Sequence, residues 1–184
     1  TLAPENFLLS GWVDGEGATV TETVGVFDNA NAGTGKTITV SLTNDDYSPT
    51  GSTSLSNYSL PTSISGAIGT IQRADATVTG NSANGTYNGQ LQSVSGFTVS
   101  GLVNNEQASV LTSPNATGAS GTNAGTYFNT VSGNAIDGNY NLSFVNGALT
   151  IDKANATVTA DSNTLTYNGL TQSVTGFTAT GLVN

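Results

Sequence analysis

The chain has 184 residues, of which 8% are charged, and its twelve acidic residues outweigh three basic ones to give a formal charge of −9. Lys36, Arg73 and Lys153 are too few to build a phosphate-neutralising face, which excludes nucleic acid as a partner and disfavours anionic membrane surfaces. Cysteine, histidine and methionine are absent, so disulfides, thiolate ligands and histidine-based proton transfer are excluded, and no apolar run approaches the roughly 18 residues of a membrane span.

Taken in chain order, the elements read as strand almost throughout. Gly33-Thr34-Gly35-Lys36-Thr37 has the ending of a phosphate-binding loop, but Ala30 stands where that loop needs glycine. Thr37–Thr43 then alternates polar and apolar residues as a half-buried strand does, where a phosphate loop would need a helix. Lys36 is read as facing solvent, which leaves no buried lysine for a covalent cross-link. Asn44-Asp45-Asp46-Tyr47-Ser48-Pro49 reads as a turn or loop. Phe97 and Val99, then Tyr140, Leu142 and Phe144, then Leu149 and Ile151, continue the period of two. Asn88-Gly89, Asn146-Gly147 and Asn168-Gly169 read as tight hairpin turns. No segment shows ten residues of helical periodicity. The fold class is all-β.

The chain also repeats itself. Ala74–Asn104 and Ala154–Asn184 align without a gap over 31 positions, 20 of them identical, at a period of 80 residues. Gly11–Glu16 matches Gly101–Glu106, Asn31-Ala32-Gly33-Thr34 matches Asn123-Ala124-Gly125-Thr126, and Asn57-Tyr58-Ser59-Leu60 matches Asn139-Tyr140-Asn141-Leu142. These landmarks predict a diverged unit lacking its opening at 1–72, a complete unit at 73–152, and the opening third of another at 153–184. Units of this size suggest a row of small β-sandwiches of immunoglobulin-like type, with Gly125-Thr126-Tyr127 as a tyrosine-corner candidate. β-grasp-like domains, each with one short helix, are the alternative.

The strings TYNG, QSVSGFTVSGLVNNEQASVLT, NAGTY and NYNLSFVNGALTIDKA resemble the mostly-beta glycine-rich (MBG) repeat, and NAGTGKTITVSL, NYSL and GTIQRA resemble the related YDG repeat. The Tyr-Asp-Gly opening that names the second family is missing from the first unit. Such repeats occur in filamentous-haemagglutinin-like surface adhesins of Gram-negative bacteria. The resemblance therefore implies an extracellular or cell-surface stalk or fibre segment and no enzymatic activity. Neighbouring repeats are its expected partners, and a host or matrix glycan is a further one. Direct carbohydrate recognition would fall to loops such as Asp45–Pro49 or Thr112–Gly121. A third reading has the chain polymerise head-to-tail by strand complementation.

The candidate site residues lie at the seams. Arg73 and Lys153 occupy the same repeat position, and an interface role would let them meet Asp152 or a neighbouring acid and fix one unit against the next. No catalytic constellation is expected, since no base stands ready to activate the many serines. No cofactor is expected either. Ca²⁺ is the one ion the sequence leaves open, through Asn44, Asp45 and Asp46, although the spacing of a calcium loop is absent. Trp12, at the place of Leu102, is read as core or seam packing.

Overall fold

The computed structural model describes residues 2–183. It divides into two compact units, Thr1–Arg73 and Ala74–Asn184. Among the described residues there are strands and short 3-10 turns but no α-helix, so the all-β expectation holds. None of the described helical turns is long and apolar enough to cross a membrane.

The first unit contains β1 (Gly17–Val20), β2 (Val26–Phe27), β3 (Gly33–Ser41), β4 (Tyr47–Thr50) and β5 (Ser63–Ile71). β1 pairs with β4, and β3 lies between β2 and β5, all antiparallel. Val20, Val40, Leu42 and Tyr47 form the core, with Phe7, Leu9, Leu60 and Ile64 packed against it. The segment read as a turn at Asn44–Pro49 is a turn only over Asn44–Asp46. There the Asp46 carboxylate accepts from the Thr43 amide at 2.7 Å and from its hydroxyl at 2.8 Å. Tyr47 then begins β4 as a core residue, and Pro49 is tolerated because β4 belongs to a two-stranded sheet.

The second unit contains β6 (Ala74–Gly80), β7 (Ala83–Thr86), β8 (Gln92–Val94), β9 (Phe97–Ser100), β10 (Asn115–Ala116), β11 (Ala119–Gly121), β12 (Gly125–Asn129), β13 (Val131–Ser132), β14 (Ile136–Asp137), β15 (Tyr140–Val145) and β16 (Gly147–Asp152). It ends with β17 (Thr157–Ala160) and β18 (Phe177–Thr180). β6 and β7 form one path interrupted at Asn81-Ser82, while β15 and β16 form another interrupted only at Asn146. The two paths run parallel. Ala74 is the register partner of Tyr140 and Val78 of Phe144; beyond the interruption, Ala83 pairs with Leu149 and Thr86 with Asp152. The upper half lies in a sheet of order β14-β15-β6-β9 and the lower half in one of order β12-β16-β7. This mixed pairing differs from the purely antiparallel sheets of the expected immunoglobulin-like sandwich; the one helical segment described in the second unit is the 3-10 turn Ala108–Val110.

Asn146-Gly147 is therefore no hairpin turn. It is the point where one strand path passes between sheets, and glycine is needed there for close backbone approach. A Cβ on Gly147 would stand 2.2 Å from the Asn81 carbonyl oxygen. Asn129, fully buried, holds this point together. Its amide donates to the carbonyls of Asn81 (3.1 Å) and Gly96 (2.9 Å), and its oxygen accepts from the Gly118 amide (3.0 Å). Asn88-Gly89 and Asn168-Gly169 are local bends, with glycine φ of 74° and 78°, but not hairpin turns: β7 and β8 do not pair with each other, and no strand directly flanks 168–169. In both, the asparagine side chain accepts from the amide two residues on.

The third copy of the repeat opening keeps the local structure of the second without its burial. β17 pairs with β18 as β6 pairs with β9. Gln172 donates to the Thr166 carbonyl as Gln92 does to that of Thr86. Yet Val158 is 67% exposed where Val78 is fully buried.

Candidate functional site

The sequence directs attention to Arg73, Asp152 and Lys153. Arg73 is exposed at the join of the two units. Asp152 closes β16, and its carbonyl accepts from the Tyr87 amide at 2.8 Å. Lys153 follows and lines a shallow depression of about 390 Å³ with Tyr87, Asn123, Ala124 and the third copy's Ala156 and Leu182. Because the terminal paths are parallel, Arg73 and Lys153 flank opposite ends of the complete module. Each precedes the opening of its own repeat, and the structure does not bring the two cations together. Asp152 and Lys153 form no ion pair with each other among the described residues.

A feature the sequence reading missed stands at the entry end of the module. Tyr140, the first residue of β15, accepts a hydrogen bond from the Val103 amide at 3.0 Å and donates one to the Glu106 carboxylate at 2.5 Å. The first unit builds the same staple: the Val13 amide donates to the Tyr58 hydroxyl at 3.2 Å, and Tyr58 donates to Glu16. Each staple ties the closing segment of a unit to the loop after its Phe-x-x-Ser stretch, across 34 and 42 residues. The bond to Glu106 raises the pKa of Tyr140 above its ordinary value, and the bond to Glu16 does the same for Tyr58. Trp12 packs on Tyr58, with ring centroids 4.5 Å apart, which agrees with the packing role read for it.

Asp137 is the second such group. Buried in β14, it accepts from the Ser113 amide (2.7 Å), the Thr112 amide (2.8 Å) and the Thr112 hydroxyl (3.1 Å). These bonds, with Ser113 foremost, lower its pKa and fix the loop that follows Leu111. A carboxylate so saturated has little capacity left for a substrate proton.

Lys36 corrects an expectation. It is buried, at 8% exposure, because Lys36, Ile38 and Val40 share the inner face of β3 at a period of two. Its ammonium pairs with Asp28 at 3.1 Å and donates to Asn29 at 2.6 Å. A buried lysine beside an acid and an asparagine is therefore present, contrary to the expectation. Among the described residues no three acidic side chains gather as a metal cluster, and Asp46 is already committed to its turn. What these side chains do in the structure is hydrogen-bond and pack segments distant in sequence against one another.

Comparison with known families agrees with this architecture. The model of the YDG domain matches residues 2–66, and that of the MBG domain (YGX type) matches 76–150. No curated protein and no solved structure matches the chain. Domains of both families are repeat domains typical of surface-exposed proteins. The chain thus carries a match to the YDG domain followed by a match to the MBG domain of the YGX type.

Proposed function

We propose that this chain is a non-enzymatic stalk or fibre segment of a bacterial extracellular adhesin, holding a binding region away from the cell. The observation that carries the reading is the parallel pairing of the first and last strand paths of the complete module. A chain that enters at Ala74 and leaves at Asp152 crosses the module once, over a path of about 40 Å at ~3.3 Å per residue. Each module added in tandem then adds length. An antiparallel terminal pair would return the exit to the entry. Tension applied at the two ends loads the parallel ladders in shear, so that many hydrogen bonds must break together. In this reading Arg73 and Lys153 are interface charges at successive seams, neighbouring repeats are the partners, and the net negative charge keeps adjacent stalks apart.

The membership of YDG and MBG repeats in surface proteins supports the reading. A glycan array separates it from direct carbohydrate recognition. The expected result for the 184-residue chain is background signal on every glycan. Saturable binding to any of them would overturn a purely structural role and make the chain a sugar-binding module.

A further inference from the structure

The buried lysine of the first unit stands against a carboxylate and a side-chain amide, the two groups with which an amine can form an amide bond. Its place is set by local pairing. β2 and β3 pair Val26 with Thr39 and Phe27 with Ile38, and the Asp28 amide continues that ladder by donating to the Thr37 carbonyl at 3.0 Å. One step further the same register sets Asn29 opposite Lys36, so both side chains leave the ladder on one face. On the other side of β3, the pairing with β5 shifts register both before and after Lys36. Gly35, at φ 63°, is the extra residue of the first shift, and a bulge of this kind re-aims the side chain beside it. The β5 partner of Lys36 is Gly69, where a Cβ would stand 2.5 Å from the Phe27 ring. The ring thus covers the backbone position opposite the lysine.

Three polar contacts hold the groups together. Nζ of Lys36 donates to Oδ1 of Asn29 at 2.6 Å and lies 3.1 Å from Oδ1 of Asp28. The Asn31 amide donates to the same Asn29 oxygen at 3.0 Å. The Asn29 side-chain carbonyl therefore accepts two hydrogen bonds, which draw charge onto its oxygen and leave Cγ electron-poor. A nucleophile, an acyl carbon and a proton acceptor share one hydrogen-bonded group. The lysine at its centre is buried, while Asp28 is 42% exposed and can exchange protons with solvent.

We propose that Lys36 and Asn29 join in an intramolecular isopeptide bond, with Asp28 carrying the proton. The Asp28 carboxylate takes a proton from the ammonium, and the freed Nζ lone pair attacks Cγ of Asn29. The adduct holds its negative oxygen where the Asn31 amide already points. Asp28 gives its proton to Nδ2, the Cγ–Nδ2 bond breaks, and ammonia leaves. Asp28 then removes the extra proton from Nζ and releases it to solvent, where ammonia takes it up as ammonium. One C–N bond replaces another, nothing is oxidised or reduced, and no co-reactant is consumed. The product closes a ring over residues 29–36 and ties β2, a two-residue edge strand, covalently to β3. The inference uses only these residues and their surroundings, so it is independent of the stalk reading.

Intact-mass spectrometry of the folded 184-residue chain reads the bond directly. The expected mass lies below that of the sequence by about 17 Da, the ammonia lost as the amide forms. Trypsin acting on the denatured chain should then leave residues 1–73 as one fragment, uncut after Lys36. Lys36→Met, which keeps the buried stem, and Asp28→Ala should each show the full mass of their own sequences. Asp28→Ala should also regain the cut after Lys36. Asn29→Ala, at an exposed residue, makes the same test where either variant fails to fold. A folded wild-type chain at full mass, cut after Lys36, overturns the proposal. So does the same loss in Lys36→Met, because an asparagine that closes on the backbone of a following glycine sheds ammonia without any lysine. A loss of about 18 Da would mark water leaving from Asp28 and overturn Asn29 as the partner. A loss of about 17 Da retained in Asp28→Ala would overturn Asp28 as the proton carrier.

Discussion

At the scale of single residues, polar groups tie segments distant in sequence together within each unit. Tyr58 and Tyr140 share a role because each meets a glutamate and a backbone amide placed alike in its own unit. Both pKa values are raised, so their contribution to stability is whole below the unfolded value of 10.0 and is lost as pH climbs through the higher folded value. Thermal melting followed from neutral to strongly alkaline pH should therefore show a fall in Tm that begins near pH 10. The double variant Tyr58→Phe/Tyr140→Phe should melt lower at neutral pH and show a shallower alkaline fall. What remains belongs to Tyr47, whose hydroxyl is held protonated by burial. An alkaline limb identical in the double variant would refute this role. The staple was half legible in the sequence. Both tyrosines stand in the Asn-Tyr-x-Leu landmarks and both glutamates end the Gly11–Glu16 and Gly101–Glu106 landmarks. Their joint recurrence was the signal, but nothing in a linear spacing of 34 or 42 residues says that they touch.

At the scale of elements, alternation identified the strands but not their partners. Thr37–Thr43, Phe97–Val99, Tyr140–Phe144 and Leu149–Ile151 fall in or at the edge of strands as the period of two requires. Parallel pairing of 74–86 with 140–152 leaves no mark in either segment, because period two is common to parallel and antiparallel ladders. Asn146-Gly147 misled for a related reason. The dipeptide suits a hairpin, and here it lets a continuous path pass the Asn81 carbonyl. Lys36 misled because a cation at a strand start suggests solvent, whereas its parity with Ile38 and Val40 points inward. The crossing gives a direct test. Gly147→Ala places a methyl group against the Gly80 and Asn81 carbonyls, and should destabilise the unit by about 2–3 kcal/mol, the usual cost of overpacking without room to relax. Chemical denaturation would measure it. A change within about 0.5 kcal/mol, the range of an ordinary surface substitution, would mean that the close approach does not constrain the fold.

At the scale of the whole molecule, the repeat gave the order of modules and the family resemblance, and the YDG and MBG matches agree with that resemblance. What the sequence left hidden is the direction of the chain through a module, and the stalk reading depends on it. Ala74 and Asp152 lie at opposite ends of the parallel ladders, while Ala74 and Tyr140 are register partners at one end. Single-molecule pulling can use both pairs of handles on the same 184-residue chain. Pulled through residues 74 and 152, the module should resist as one shear-loaded unit and then release about 24 nm of chain, from 79 residues at ~3.6 Å each less the folded span of about 4 nm. Pulled through residues 74 and 140, the ladder should peel pair by pair at a markedly lower force. Equal forces in the two geometries, or extension through 74 and 152 without a discrete release, would contradict a module built to carry load from end to end.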